Sequence, residues 1–200
     1  MKTARKIIIG VLSVILSGLA GWTVVNAFHE PYVAPVSPVL IEKVRTGDII
    51  FTEGHSLKSD IVRLGGGRDT EISHTGFIQT RGDGLYVTHM SIDDDRIMSE
   101  RIETFMERNV VQSYVIMRMD ADKGKLGGIL DSLVAAEVPF DNSYDIYDPS
   151  EYYCTELVCR VLESAGYDVG DVRMVNGVLY PSDLLRLEGL ELIHREPGGK

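Results

Sequence analysis

The sequence predicts an α+β domain with a mostly antiparallel sheet, carried behind an apolar N-terminal segment. Three observations predict it. Two alternating stretches, EISHTGFIQT (71–80) and LYVTHM (85–90), flank the turn signal RGDG. Two other stretches, KLGGILDSLVAA (125–136) and Tyr153 to Ala165, carry apolar residues at helical spacing. Strands and helices come in separate runs rather than alternating as βαβ units.

The chain begins with Lys2, Arg5 and Lys6, followed by IIIGVLSVILSGLAGWTVVNA, which carries no charge from Ile7 to Ala27. This is long for a signal peptide and just long enough to span a bilayer. Val25-Asn26-Ala27 suits signal cleavage, so a cleaved signal and a retained anchor both stay open for residues 1–27. Basic residues ahead of the apolar run predict translocation of the rest of the chain, to a periplasmic or extracellular location or an anchored one. Residues 28–39 contain three prolines and no period, and read as a linker. The domain is expected over 40–200, long enough to bury a core. Setting aside Lys2, Arg5 and Lys6 leaves 17 basic residues against 30 acidic ones, a net charge of −13. Such a surface excludes nucleic acid as a partner class.

Within the domain, Gly47-Asp48 turns into a short buried strand, Ile49-Ile50-Phe51. Ser59 to Leu64 forms a helical turn ended by three glycines. The hairpin follows, then a short strand at Arg96 to Met98 and a short helix from Ile102 to Arg108. Gln112 to Met119 is a strand. The helix over 125–136 presents Leu126, Ile129, Leu130, Leu133 and Val134 on one side. A loop rich in Asp, Pro and Tyr spans Val138 to Glu151. The second long helix stops at Gly166, and Pro181 opens a final short one.

The only two cysteines, Cys154 and Cys159, lie in EYYCTELVC at the start of that second long helix. Five residues apart on a helix, their Cα atoms stand roughly 8.6 Å apart, beyond the roughly 7 Å limit for a disulfide. They are also not equivalent. Leu157, Val158, Val161, Leu162 and Ala165 define the apolar face, with Cys154 on it in the first turn. Cys159 lies roughly 140° away. Helix N-termini favour thiolates and lower thiol pKa values, so Cys154 is the candidate nucleophile and Cys159 a packing residue. A small buried hydrophobe remains the plain alternative for either.

A thiol nucleophile needs a base and a group to orient it. Of five histidines, His29 falls in the linker, His194 near the tail and His55 in a loop. His74 and His89 sit on the two hairpin strands. If Thr80 pairs with Leu85, both histidines share one face as diagonal neighbours, roughly 7–8 Å apart at Cα. Gly76 beside them leaves room for an imidazole. Zinc on His55, His74, His89 and Cys154 matches no common ligand spacing, so no metal and no cofactor are expected.

GDIIF (47–51), SHTG (73–76), YVTH (86–89), VPFD (138–141) and YCTELV (153–158) stand in this order. The ordered set resembles the YiiX-like branch of the NlpC-type cysteine peptidases, over roughly residues 40 to 185. That resemblance implies a circularly permuted papain-like fold, with the sheet packed against the helix carrying the cysteine. It implies Cys154 as nucleophile, His74 as general base and His89 as third polar group. Many relatives carry Glu at the third position, and Tyr where Phe140 stands here.

The expected activity is thiol-dependent hydrolysis of amide bonds, with cell-wall stem peptides as candidate substrates. A lipid- or acyl-directed thiol hydrolase or transferase is the second expectation. A non-catalytic envelope binding module that keeps the fold is the third.

Overall fold

The computed structural model describes residues 32–54, 72–170, 174 and 177–198. The apolar segment, His29, His55 and the expected turn at Ser59 to Leu64 lie outside them. Among the described residues no helix is long and apolar enough to cross a membrane.

The elements run α1 (Pro38–Lys43), β1 (Ile49–Gly54), β2 (His74–Arg81), β3 (Gly84–Ser91), β4 (Arg96–Arg101) and α2 (Ile102–Arg108). After them come β5 (Val111–Met119), α3 (Lys123–Ala135), α4 (Cys154–Ala165), α5 (Pro181–Leu184) and β6 (Leu190–Glu196). The strands form one six-stranded sheet in the order β4-β3-β2-β1-β5-β6. Every neighbouring pair is antiparallel.

Side-chain alternation along the strands sends residues to two cores. Ile49, Phe51, Phe77 and Met90 meet Leu126 and Leu130 of α3 and Leu157, Val158, Val161 and Leu162 of α4. Ile50, Ile78, Val87 and Ile116 face the other way and meet Leu40 of α1 and Ile102, Phe105 and Met106 of α2. All of β1 is therefore buried, which explains why its first three residues, Ile49-Ile50-Phe51, are all apolar instead of alternating. Each fully buried Leu, Ile or Phe contributes about 1.5–3 kcal/mol by leaving water.

The long helices have legible ends. Asp122 caps α3 by accepting from the N–H groups of Gly124 and Lys125, at 2.9 and 3.2 Å. Gly166 ends α4 at φ 95°, a left-handed position where a Cβ would be strained. The N-cap of α4, Tyr153, gives no side-chain capping bond.

Four expectations change. The strand expected at Arg96 to Met98 extends to Arg101 because it pairs along β3 from Ser91–Arg96 to Tyr86–Arg101. Leu190–Glu196 adds a sixth strand, on the free edge of β5. Residues 38–43 are helical. Residues 34–35, expected as linker, lie against the domain: Ala34 is buried and gives its N–H to the Val111 carbonyl at 2.7 Å. The Tyr114 hydroxyl donates to the Pro35 carbonyl at 3.1 Å.

Candidate active site

The β2–β3 register is the one the turn predicts, with Thr80 opposite Leu85. It brings the two hairpin histidines together: His74 Nε2 and His89 Nδ1 are 3.0 Å apart. Their rings meet edge to face, with centroids 5.1 Å apart. Phe105 of α2 walls them in, with centroids 6.0 Å from His74 and 4.9 Å from His89. Gly76 makes this fit possible, because a Cβ there would stand 2.9 Å from His89 Cβ.

Cys154 approaches β2 from the helical layer on the other side of the sheet, next to Thr75. Ile78 gives its N–H to Asp48, on the β1 side. The β1–β2 register continues through Ile50–Gly76 to Thr52–His74, so the N–H of Thr75, at odd spacing from Ile78, turns toward β3. Pairing of β2 with β3 begins only at Phe77–Thr88. The two strands are thus split at Thr75, and the Thr75 N–H turns to the Cys154 sulfur. Thr75 directly follows His74, so the thiol arrives one residue along the chain from the imidazole. The N–H groups of Cys154 and Thr155, left free by the missing side-chain cap, also favour the thiolate.

Burial nonetheless wins. It pushes the Cys154 thiol up to about 11, with the three N–H groups only partly opposing it. The expected fall of the thiol pKa at the helix N-terminus does not occur, because removing the sulfur from water outweighs the helix end. Burial, reinforced by the neighbouring charge of His89, lowers His74 to about 3. Thiol and imidazole are therefore both neutral at rest. Cys159 is buried, and burial pushes it up to about 12. Both cysteines are free thiols.

The polar chain extends beyond the expected residues. His89 Nε2 donates to Glu100 Oε1 at 3.0 Å, and Arg108 Nη1 donates to Glu100 Oε2 at 3.2 Å. Arg108 also pairs with Asp94, which accepts from the Ser91 hydroxyl at 2.6 Å. Burial pushes the Glu100 carboxyl up. The His89 bond and the charges of His89 and Arg108 outweigh that and hold it below its ordinary value. The reading of the sequence missed Glu100. Its signal was the short link Asp93-Asp94-Asp95. Pairing β3 with β4 across it sets Val87 opposite Glu100, on the face of His89 and diagonal to it.

Glu156 is fully buried. It binds Arg160 and the Tyr153 N–H, and burial raises it to about 7. That is a helix-start role. Tyr153 is also buried, and its hydroxyl accepts from the Leu179 N–H at 3.2 Å. His194 lies in β6, paired with Glu196. Among the described residues no group of three or more His, Cys, Asp or Glu side chains is placed to hold a metal ion.

Residues 43–192 match the model of a family described as permuted papain-like amidase enzymes, YaeF/YiiX, C92 family. The chain belongs to this amidase family. It is accordingly a cysteine peptidase/amidase, a hydrolase, with the permuted papain-like fold and the YiiX-like kinship that the motif order implied. A crystal structure of metalloprotein YiiX from Escherichia coli O157:H7 superposes with a TM-score of 0.62 at 21% identity. That superposition covers 78% of this chain and 99% of the other, and it adds the same fold. No curated protein matches the chain.

Proposed function

We propose that this amidase is an exported enzyme that hydrolyses amide bonds in envelope peptides, with Cys154, His74 and His89 as its catalytic group. The observation that carries the reading is the 3.0 Å contact of His74 Nε2 with His89 Nδ1, beside the thiol held at Thr75. With Nε2 engaged, His74 keeps Nδ1 for the thiol proton.

The neutral resting pair favours general-base attack over a preformed thiolate. As the Cys154 sulfur bonds to the amide carbon, its proton moves to His74 Nδ1 and the carbonyl π electrons move to oxygen. The Cys154 N–H at the open helix start is an oxyanion donor. The C–N bond then breaks, and the imidazolium gives its proton to the leaving amine. Water, deprotonated by His74, attacks the thioester; the C–S bond breaks, the acid leaves and the thiol is restored.

Export rests on the basic-then-apolar N-terminal segment, and the acidic domain surface suits a partner other than nucleic acid. The test is incubation of the purified protein with peptidoglycan fragments, peptide amides and acyl lipids, read by mass spectrometry. Cleaved amides and a Cys154→Ala variant without turnover are expected. A covalent acyl adduct from lipid alone would turn the assignment to acyl transfer. Turnover or cellular function that survives Cys154→Ala would overturn the catalytic reading.

A further inference from the structure

We infer that Glu100 is a positioning residue of this amidase: by accepting from His89 Nε2 it sets the tautomer of both histidines and leaves His74 Nδ1 unprotonated as the base. The inference deepens the function proposed above and rests on it.

The argument is one of donors and acceptors. Arg108 carries only donors and an ionised carboxylate only acceptors. Glu100 sits between them and His89, with Oε2 on Arg108 and Oε1 on His89 Nε2. In its neutral form His89 therefore places its one proton on Nε2, and its Nδ1 becomes an acceptor. His89 Nδ1 faces His74 Nε2 at 3.0 Å, so His74 must place its own proton on Nε2. Its Nδ1 is then bare. Each link fixes the next, from Arg108 through Glu100 and His89 to His74.

The surroundings leave this chain undisturbed. His89 is 2% exposed and the Glu100 side chain 9%, so water competes little for either. The face of the ring pair is closed by Phe105, which has no polar atom to offer. Arg108 is held on its far side by Asp94 and the Ser91 hydroxyl, so its guanidinium stays aimed at Glu100.

The arrangement makes an isosteric change worse than a deletion. In Glu100→Gln the amide oxygen must face Arg108, because Arg108 can only donate. The amide NH2 then faces His89 Nε2 and demands an acceptor there. His89 moves its proton to Nδ1, His74 moves its proton to Nδ1, and the base is lost. In Glu100→Ala neither tautomer is imposed.

Long-range proton–nitrogen NMR of the histidine-labelled protein reads the tautomers directly. In the unmodified protein both His74 and His89 are expected to be protonated at Nε2 and bare at Nδ1. A proton on Nδ1 of either overturns the inference, without any variant having to fold. In kinetics, Glu100→Gln should lose on the order of 10²–10⁴-fold in kcat, as expected for a wrong tautomer. Glu100→Ala should lose about 10–100-fold, as for other supporting partners. Adding Arg108→Ala to Glu100→Gln frees the amide to rotate and should recover about tenfold or more. Glu100→Gln more active than Glu100→Ala, or no recovery in the double variant, contradicts the proposal. Turnover that survives Cys154→Ala would sink the catalytic reading, while the NMR result still tests Glu100 by itself.

Discussion

A Cβ on Gly76 would stand 2.9 Å from His89 Cβ and 2.8 Å from the Thr88 carbonyl oxygen. No real Cβ tolerates either distance, and the second neighbour is backbone, which cannot rotate away. Gly76→Ala must push β3 off β2 just where the histidine pair forms. Displacements near 1 Å in a catalytic group can lower rates about 100-fold, and overpacking costs about 1–3 kcal/mol. The expected outcome is a folded protein of lower Tm with kcat/KM down by about that factor. A variant that retains full activity would show that the 3.0 Å histidine contact is dispensable.

The neutral resting thiol predicts how Cys154 reacts with iodoacetamide. With its pKa pushed up to about 11, the thiolate fraction at pH 7 is small. The labelling rate should rise about tenfold per pH unit from 7 toward 10. Cys159, buried and pushed up to about 12, should label more slowly throughout. A rate that is already flat at pH 7 would mean a low-pKa thiolate, and the general-base route would give way to an ion pair.

His74 and Glu156 make opposite contributions to stability in acid. His74 is lowered from 6.5 to about 3. Below pH 6.5 the unfolded chain binds a proton there that the folded one refuses, so its contribution is lost as pH falls toward 3. Glu156 is raised from 4.5 to about 7. Its contribution is full below pH 4.5 and lost as pH rises through 7. The two oppose each other between pH 4.5 and 6.5, and of the two only His74 still changes its contribution at lower pH. His74→Gln should therefore gain stability relative to the parent as pH drops from 4.5 to 3.5, by up to about 1.4 kcal/mol per unit. Urea midpoints of the two proteins, compared at each pH, measure this; a constant difference would mean that His74 is not held neutral.

The sequence made the centre of the site readable and hid its supports, for physical reasons. A turn fixes register locally, so Arg81-Gly82-Asp83-Gly84 was enough to put His74 and His89 on one face. Helical period separates Cys154 from Cys159 in the same local way. Glu100 and Arg108 sit among charges on an edge strand and a short helix, where such residues ordinarily meet solvent. Their roles depend on β4 pairing with β3 and α2 folding back over the sheet, which are tertiary facts. The rise of the Cys154 thiol was equally hidden, because burial depends on everything packed over the helix start. β6 was missed because LELIHRE (190–196) alternates weakly and buries none of its residues fully.

Tyr144 carries the last prediction. Its φ is 56°, a left-handed conformation that a bulky side chain adopts at a penalty of about 1–2 kcal/mol. Asp141 holds it there by accepting from the N–H groups of Ser143 and Tyr144, at 2.7 and 2.8 Å. The ring packs against Tyr153 with centroids 5.3 Å apart, and against Phe140 at 6.3 Å. Burial raises the Tyr144 hydroxyl, and the next contribution is the charge of a Cys154 thiolate. A hydroxyl that feels negative charge at the sulfur is placed to feel an oxyanion formed next to it. Tyr144→Phe keeps the ring and loses only that donor. The expected outcome is a fall in kcat of about 10–100-fold with KM little changed, somewhat below the loss of a backbone-grade oxyanion donor. An unchanged kcat would reduce Tyr144 to a packing residue, and a rise in KM alone would make it a contact for the substrate.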